Sequence, residues 1–565
     1  ILLGERAALS QDTKGLFVNT GTIHILAISG LHIGLIALIL VALFRFLRLP
    51  RKAVFILTIF LLICYAFLSG ARPSVVRATV MAVIVLFGFL INRETKIYNS
   101  LGLAALLILI VRPHYLFDAG FQLSFLSVIS IIYLTPKIEK LFPARNRCFL
   151  YLIRAFSVSL AAWIGIAPLV AFHFNIVTPV AVLANLVVIP CLFLIVSVGI
   201  SFLIFAYLWV PLGVIFAQTS WLSLLGLTKL TALISKIPLG FFHLPRPGIF
   251  FFCGYYALIF LLFNYERLKI SAGKAAIILA LAASVLAWTP LFKTPSDKLT
   301  VTFLDVGLGD AIFVEFPYSA GAMLIDGGPA GENDAGRWAI LPFLWNKGIN
   351  EIDAVLLTHP DNDHIGGLAG VLKNVKVNYV FDNGMPKEST SYNNYKTAVT
   401  EKVPHYRAVK RGEEISGFPQ VKLFVLHPPG PHLAGSAADT NNNSLVLKLV
   451  YKDVSFLFCA DIQRQAIEQI LPYGPMLKST VIKVPHHGSD EGEEEDYLFQ
   501  AASAQLAVIS VDRDNRLGLP APKVVKRLEH LGAKVYKTGD SGAVIISTDG
   551  RDVRVETSDI FRLWN

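Results

Sequence analysis

Cysteine is scarce in this 565-residue chain: Cys64, Cys148, Cys191, Cys253 and Cys459 are the five. Four lie in or beside apolar runs and none forms a C-x-x-C pair, so neither a disulfide framework nor a cysteine-based zinc site is indicated. Charge is also sparse, at 16% of residues, against 54% hydrophobic residues and a mean hydropathy of +0.59. These values exclude an ordinary soluble protein. Acidic residues are nearly missing from the first half. Up to Pro295 there are 23 Lys/Arg against 6 Asp/Glu, a balance of +17, whereas the remainder carries 27 against 34, a balance of −7. The chain begins at Ile1 without a Met or a signal peptide, which suggests an N-terminal truncation of a longer protein.

The apolar excess is confined to residues 1–295. The first long run, Gly21 to Leu47, can span a bilayer and carries His24, Ser29, Gly30, His32 and Gly34 in its first half. Polar and small residues at membrane depth face protein or water, so these either line a path or make a helix contact. Further runs cover about 54–68, 75–91, 101–111, 121–134, 148–170, 180–210, 213–234, 249–263 and 275–291. Several are short, and Pro168, Pro179 and Pro190 interrupt the middle, predicting broken or re-entrant helices. Nine to eleven membrane segments are expected. A short basic loop holds Arg72 and Arg77, and another segment puts Asp118, Gln122 and Ser124 at the start of an apolar helix. The basic clusters at 45–52, 93–96, 137–147 and 267–274 belong in the cytoplasm by the positive-inside rule. The last span then runs outward and places everything after Pro295 outside.

Residues 295–298 read as a linker. From Leu299, short strand-like runs alternate with helical stretches, predicting an α/β domain over 299–565. Its densest chemistry is T-H-P-D-N-D-H-I-G-G, residues 358–367. His359, Asp361, Asp363 and His364 follow an apolar run and precede a Gly pair, as when a buried strand delivers ligands to a loop at its tip. Imidazole and carboxylate together suit a divalent metal. Asp326, Asp461, His486 with His487, and Asn441 to Ser444 likewise stand at the ends of apolar runs. Together they predict loops gathered at one sheet edge around a metal centre, in which Asp461 could bridge two ions. Lys483 and Ser489 could contact phosphate, or be a surface lysine and an N-cap.

Asp326, H-P-D-N-D-H and Asp461 resemble the successive motifs of the metallo-β-lactamase superfamily. H-I-L-A-I-S-G-L-H-I-G, A-R-P-S-V-V-R-A, G-F-Q-L-S-F and L-A-N-L-V-V-I-P resemble the membrane domain of ComEC-type DNA-internalisation competence proteins, and the junction strand F-L-D-V-G-L-G-D-A and the stretch K-V-P-H-H-G-S resemble the same family in the domain that follows. The resemblance implies a polytopic α-helical membrane domain (1–295) followed by an αββα sandwich (299–565). It implies a channel in the bacterial cytoplasmic membrane that carries single-stranded DNA inward, with an extracytoplasmic domain that degrades the other strand of the double-stranded substrate. Membrane lipid and other components of the DNA-uptake machinery are the implied partners, and His24, His32, Arg72, Arg77 and Gln122 the candidate DNA path.

By the same resemblance, His359, Asp361 and Asp461 hold one ion, and Asp363, His364 and Asp461 the second, with His486 a further ligand. Asp363, His364, His487 and Lys483 are the implied catalytic residues, and an activated water attacks phosphorus in line. Asp361 replaces a frequent second His, so manganese is as suitable as zinc, with one or two ions. Two positions depart from the pattern: Leu519 stands where a His is usual, and Leu308 where a Gln is usual. Leucine cannot ligate a metal, so a channel with a catalytically inactive hydrolase domain is the second reading. A membrane-anchored metallohydrolase of a non-nucleic substrate is the third.

Overall fold

The computed structural model describes residues 9–91, 96–143, 146–265, 267–271, 273–274, 276–278, 280–282, 296–331, 334–514 and 517–558. The chain forms two compact units, residues 1–286 and 287–565.

In the first unit, among the described residues, six helices are long and apolar enough to cross a membrane: α3 (Arg51–Leu68), α4 (Pro73–Leu90), α6 (Ala119–Glu139), α7 (Arg147–Phe174), α8 (Ala181–Leu208) and α9 (Val210–Ile234). Among the described residues, α2 (Gly30–Phe46), α5 (Ile97–Val111) and α10 (Ile249–Leu262) are apolar but shorter; α1 is Gln11–Asn19. Much of the expected last span, 275–291, lies outside the described residues.

Two expectations are corrected. The first run does not form one helix from Gly21. A single 3-10 turn covers Ile23–Ile25 and α2 starts at Gly30. The His32 Nδ1 accepts from the Ser29 N–H at 3.2 Å, satisfying a donor at the helix start. Nor do Pro168 and Pro190 break their helices, since each lies inside a continuous 28-residue helix. A proline removes the hydrogen bond to the carbonyl four residues back, here that of Ile164. The Tyr255 hydroxyl donates to that carbonyl at 2.8 Å, and the Tyr256 hydroxyl to Gly165 O at 2.9 Å. The neighbouring helix α10 thus supplies the lost donor, which in an apolar medium is what lets the helix continue.

In the second unit, β3 (Leu299–Phe303), β4 (Ile312–Glu315), β5 (Ala322–Ile325), β6 (Glu351–Leu357), β7 (Lys376–Asp382), β8 (His405–Ala408), β15 (Ala543–Thr548) and β16 (Val553–Ser558) form one sheet in the order β16-β15-β3-β4-β5-β6-β7-β8; β1 (Ile176–Val177) and β2 (Phe242–His243) are a short pair in the first unit. The second sheet runs β14-β13-β12-β11-β10-β9, from β9 (Val421–His427), β10 (Val446–Tyr451), β11 (Val454–Phe458), β12 (Val481–Lys483), β13 (Leu506–Ile509) and β14 (Lys534–Lys537).

Alternation along the strands builds three cores. Leu299, Val301, Phe303, Met323 and Leu356 face Leu447, Phe456 and Phe458 between the sheets. Val355, Leu357 and Leu324 pack outward on the helices Leu341–Lys347, Leu368–Asn374 and Thr390–Lys402. Leu457, Ile482 and Ile509 pack outward on Arg464–Ile470, Glu493–Ala502 and Pro522–His530. The result is the expected four-layer αββα sandwich.

Candidate metal centre

Parallel strands deliver the centre. β5 with β6, and β11 with β12, are parallel pairs. Their C-terminal ends run into Asp326, the 358–364 stretch, Asp461 and the His486–His487 turn. Ligand sites form at such strand ends because successive loops there converge. The Gly366–Gly367 pair has a packing reason. A Cβ at Gly366 would meet the Ala330 backbone, and one at Gly367 the Gly336 backbone.

Ligand atoms of Asp363, His364, Asp461 and His487 lie within 4.8 Å of one another. The His364 and His487 Nε2 atoms each approach Asp461 Oδ2 to 3.2 Å, and His487 Nε2 lies 3.5 Å from Asp363 Oδ2. Each imidazole is held by its other nitrogen. His364 Nδ1 pairs with Asp326 Oδ2 at 2.8 Å, and His487 Nδ1 with the Ser510 carbonyl at 2.9 Å. Asp326 also accepts from the Thr358 N–H and hydroxyl, both at 2.7 Å. The Nε2 atoms of His359, His364 and His487 are buried without a hydrogen-bond partner. Buried polar atoms are normally satisfied, and three unpartnered imidazole nitrogens beside two carboxylates fit a divalent cation.

Charge supports the same fit. Burial opposes the imidazolium of His364, but Asp461 and Asp326 hold its pKa well above the ordinary 6.5. Burial likewise opposes the charge on His487, and Asp461 outweighs it, giving about 9. Burial and the charge of His364 push His359 well down. Burial opposes the Asp461 carboxylate, yet His487, His364 and Lys483 hold its pKa well below 3.8. Protons thus gather where a cation would sit, and binding one would release them.

The other expected residues are placed as follows. Asp361 stands at the rim, its Oδ1 accepting from Lys387 Nζ at 2.6 Å and its Oδ2 lying 4.0 Å from His359 Nε2. His486 turns its Nδ1 to Glu491, 2.8 Å, and Gln463, 3.1 Å. Lys483 is fully buried, with Nζ bonded to Ala460 O at 2.9 Å and paired with Asp310 and Asp461. Leu519 is partly buried and packs against the outer core of the second sheet, and Pro520 lies against Gly488.

Asp310 escaped the sequence reading as a ligand. It is 1% exposed, its carboxylate is paired with the Lys483 ammonium, and it groups with Asp326 and His364. Its signal was the D-V-G-L-G-D turn before β4. There Gly309, at φ +133°, abuts the Asp363 carbonyl where a Cβ would clash. Lys387, on the loop after β7, also escaped notice.

In the membrane unit, Arg77 is 6% exposed and pairs with Asp118 at 3.2 Å, while Asp118 caps α6 through the Phe121 N–H. Gln122 Oε1 meets His173 Nε2 at 2.9 Å. His32 is 1% exposed with its Nε2 unpartnered, whereas His24 is exposed with Nδ1 3.2 Å from Gly21 O. Arg72 is the N-cap residue of α4.

Comparison with known proteins agrees with both units. A family model described as "Competence protein" matches residues 1–269, and one described as "Metallo-beta-lactamase superfamily" matches residues 304–504. ComE operon protein 3 of Bacillus subtilis is 28% identical over 96% of this chain and 70% of its own length. Recombination protein 2 of Haemophilus influenzae is 27% identical, over 97% and 71%. Competence protein ComA of Neisseria gonorrhoeae is 24% identical, over 100% and 76%. The chain therefore joins a competence-protein domain to a metallo-beta-lactamase-superfamily domain, an arrangement that matches the ComEC-type architecture.

Proposed function

We propose that the membrane unit passes one strand of incoming DNA across the bacterial cytoplasmic membrane and that the second unit, on the outer side, is a metal-dependent phosphodiesterase that cuts the other strand. The observation that carries the hydrolytic part is the convergence of the unpartnered His364 and His487 nitrogens on Asp363 and Asp461. The basic excess of residues 1–295 and the basic cluster ahead of the last apolar run support the transport part and the outward placement.

His364, His487, Asp461 and Asp363 would hold a manganese or zinc ion, with His359 and Asp361 beside them. When bound, such an ion lowers the pKa of a water and polarises the phosphodiester. The chain's own groups prepare the site for it. Asp326 and the Ser510 carbonyl fix the imidazoles with Nε2 inward. Lys483 offsets the charge of Asp310 and Asp461 from the sealed side. Leu519 offers no ligand, which favours one ion over two and keeps the channel with an inactive hydrolase unit as the second reading.

The test uses the full chain in detergent with labelled single-stranded DNA, manganese or zinc, and a chelator control. Metal-dependent cutting that Asp363→Ala abolishes is the expected result and means Leu519 is tolerated. A folded, metal-loaded chain that cuts with neither ion overturns the phosphodiesterase reading.

A further inference from the structure

The centre is sealed on one side and open on the other. The side chains of Asp310, Asp326, His364, Asp461, Lys483 and His487 are at most 3% exposed. Those of Asp361 and Asp363 are 27% and 34% exposed. Substrate must therefore approach over Asp361 and Asp363. A phosphodiester arriving there brings negative charge toward two carboxylates, and like charges brought together beside a partly buried site repel. A cation on the open side would relieve this, but Lys483 lies on the sealed side with its ammonium committed to Ala460 O, Asp461 and Asp310.

Among the described residues, the other lysine paired with a carboxylate of the centre is Lys387. Its Nζ lies 2.6 Å from Asp361 Oδ1 and its side chain is 37% exposed. An ammonium has three N–H donors, and the Asp361 bond uses one. The loop that carries it is fixed at both ends. Asn383 Nδ2 donates to Asn443 O at 2.8 Å and Asn383 O meets His432 Nε2 at 2.8 Å. Ser389 caps the helix Thr390–Lys402 by accepting from the Tyr392 N–H at 3.1 Å. Lys387 is therefore held at the mouth rather than left on a free arm.

We infer that Lys387 is the substrate-binding cation of the centre, donating to a phosphate oxygen of the strand at the open Asp361–Asp363 side while one N–H holds Asp361. This rests on the phosphodiesterase reading and names the group that meets its substrate. It also reassigns the phosphate contact expected of Lys483, whose position makes it a charge-balancing residue.

The experiment compares the full-length wild type with Lys387→Met and Lys387→Arg. First, binding of a labelled oligothymidine is titrated in chelator at several salt concentrations. Each phosphate contact contributes about 0.7 to the slope of log K against log salt for single strands. Lys387→Met should lower the slope by about that amount and Lys387→Arg should restore it. Second, with manganese, Lys387→Met should raise KM roughly tenfold, as for loss of a partly exposed charge-assisted hydrogen bond, with kcat within about twofold.

A wild type that binds oligothymidine with a slope unchanged in Lys387→Met overturns this inference alone. A fall in kcat or in manganese affinity with KM and slope unchanged also overturns it, because Lys387 then acts only by positioning Asp361. A wild type with neither salt-sensitive binding nor cutting overturns the phosphodiesterase reading and this inference with it.

Discussion

Asp326→Asn is the sharpest perturbation of the centre, because it changes one atom and no volume. Asp326 Oδ1 accepts from the Thr358 N–H, while Oδ2 accepts from the Thr358 hydroxyl and pairs with His364 Nδ1. An asparagine has one acceptor oxygen where three donors converge. With its oxygen at the Oδ2 position, its NH2 faces the Thr358 N–H and a buried backbone donor is orphaned, at roughly 1–3 kcal/mol. With its oxygen at the Oδ1 position, its NH2 faces His364 Nδ1, which must then accept. The His364 proton moves to Nε2, and the nitrogen aimed at Asp461 can no longer ligate. Groups that orient a metal-binding imidazole are worth about 10–100-fold in metal affinity, or roughly 1.4–2.7 kcal/mol. The assay is calorimetric titration of the metal-free full chain with manganese and with zinc, beside hydrogen exchange of the 355–368 region in the absence of metal. Weaker metal binding by a variant whose exchange is near wild type is expected. Unchanged affinity for both ions would refute the assignment of His364 Nε2 to the metal.

Two further predictions concern stability. Glu495 is fully buried, with Arg527 Nη1 3.8 Å from its Oε2, and burial raises its pKa from 4.5 to about 8, against a backbone hydrogen bond at Glu491 and the charge of Arg527, which lower it, and with the charges of Glu491 and Asp490 adding to the rise. An acid raised on folding favours the folded state less as pH climbs from 4.5 to 8, because the unfolded chain gives up the proton first. Glu495→Gln removes that loss. Its advantage over wild type should grow by roughly 3 kcal/mol between pH 6 and pH 9, read as hydrogen-exchange stability of the helix Glu493–Ala502, and a pH-independent difference would count against it. In the membrane unit, Tyr255→Phe should cost about 1 kcal/mol in the thermal stability of the detergent-solubilised chain. In a Pro168→Ala background the cost should shrink, since the alanine N–H fills the Ile164 carbonyl; an equal cost in both backgrounds rejects the substitution of one donor for the other.

How much of this was legible in the sequence follows from the range over which each cause acts. The partition into a basic apolar part and an ordinary α/β part is compositional. The grouping of His359 to His364 is local, since a strand ending in a turn keeps its ligands together wherever the strand goes. Asp326, Asp461 and the His486–His487 pair were visible for the same reason, as polar residues closing apolar runs. What the sequence could not decide is direction. The His486–His487 turn puts His487 on the centre and leaves His486 against Glu491, because both residues take positive φ, 43° and 53°, and their ring nitrogens meet different neighbours. Lys483 reads as a strand-end cation, but pairing of β12 between β11 and β13 seals it behind Asp461. Asp310 and Lys387 reach the site from segments with no ligand cluster of their own, and only the crossing of loops from both sheets brings them there. In the membrane unit, Pro168 looked like a break because sequence shows the missing N–H. The tertiary structure supplies the hydroxyl of Tyr255 in its place, from a helix that is distant in the chain and adjacent in space.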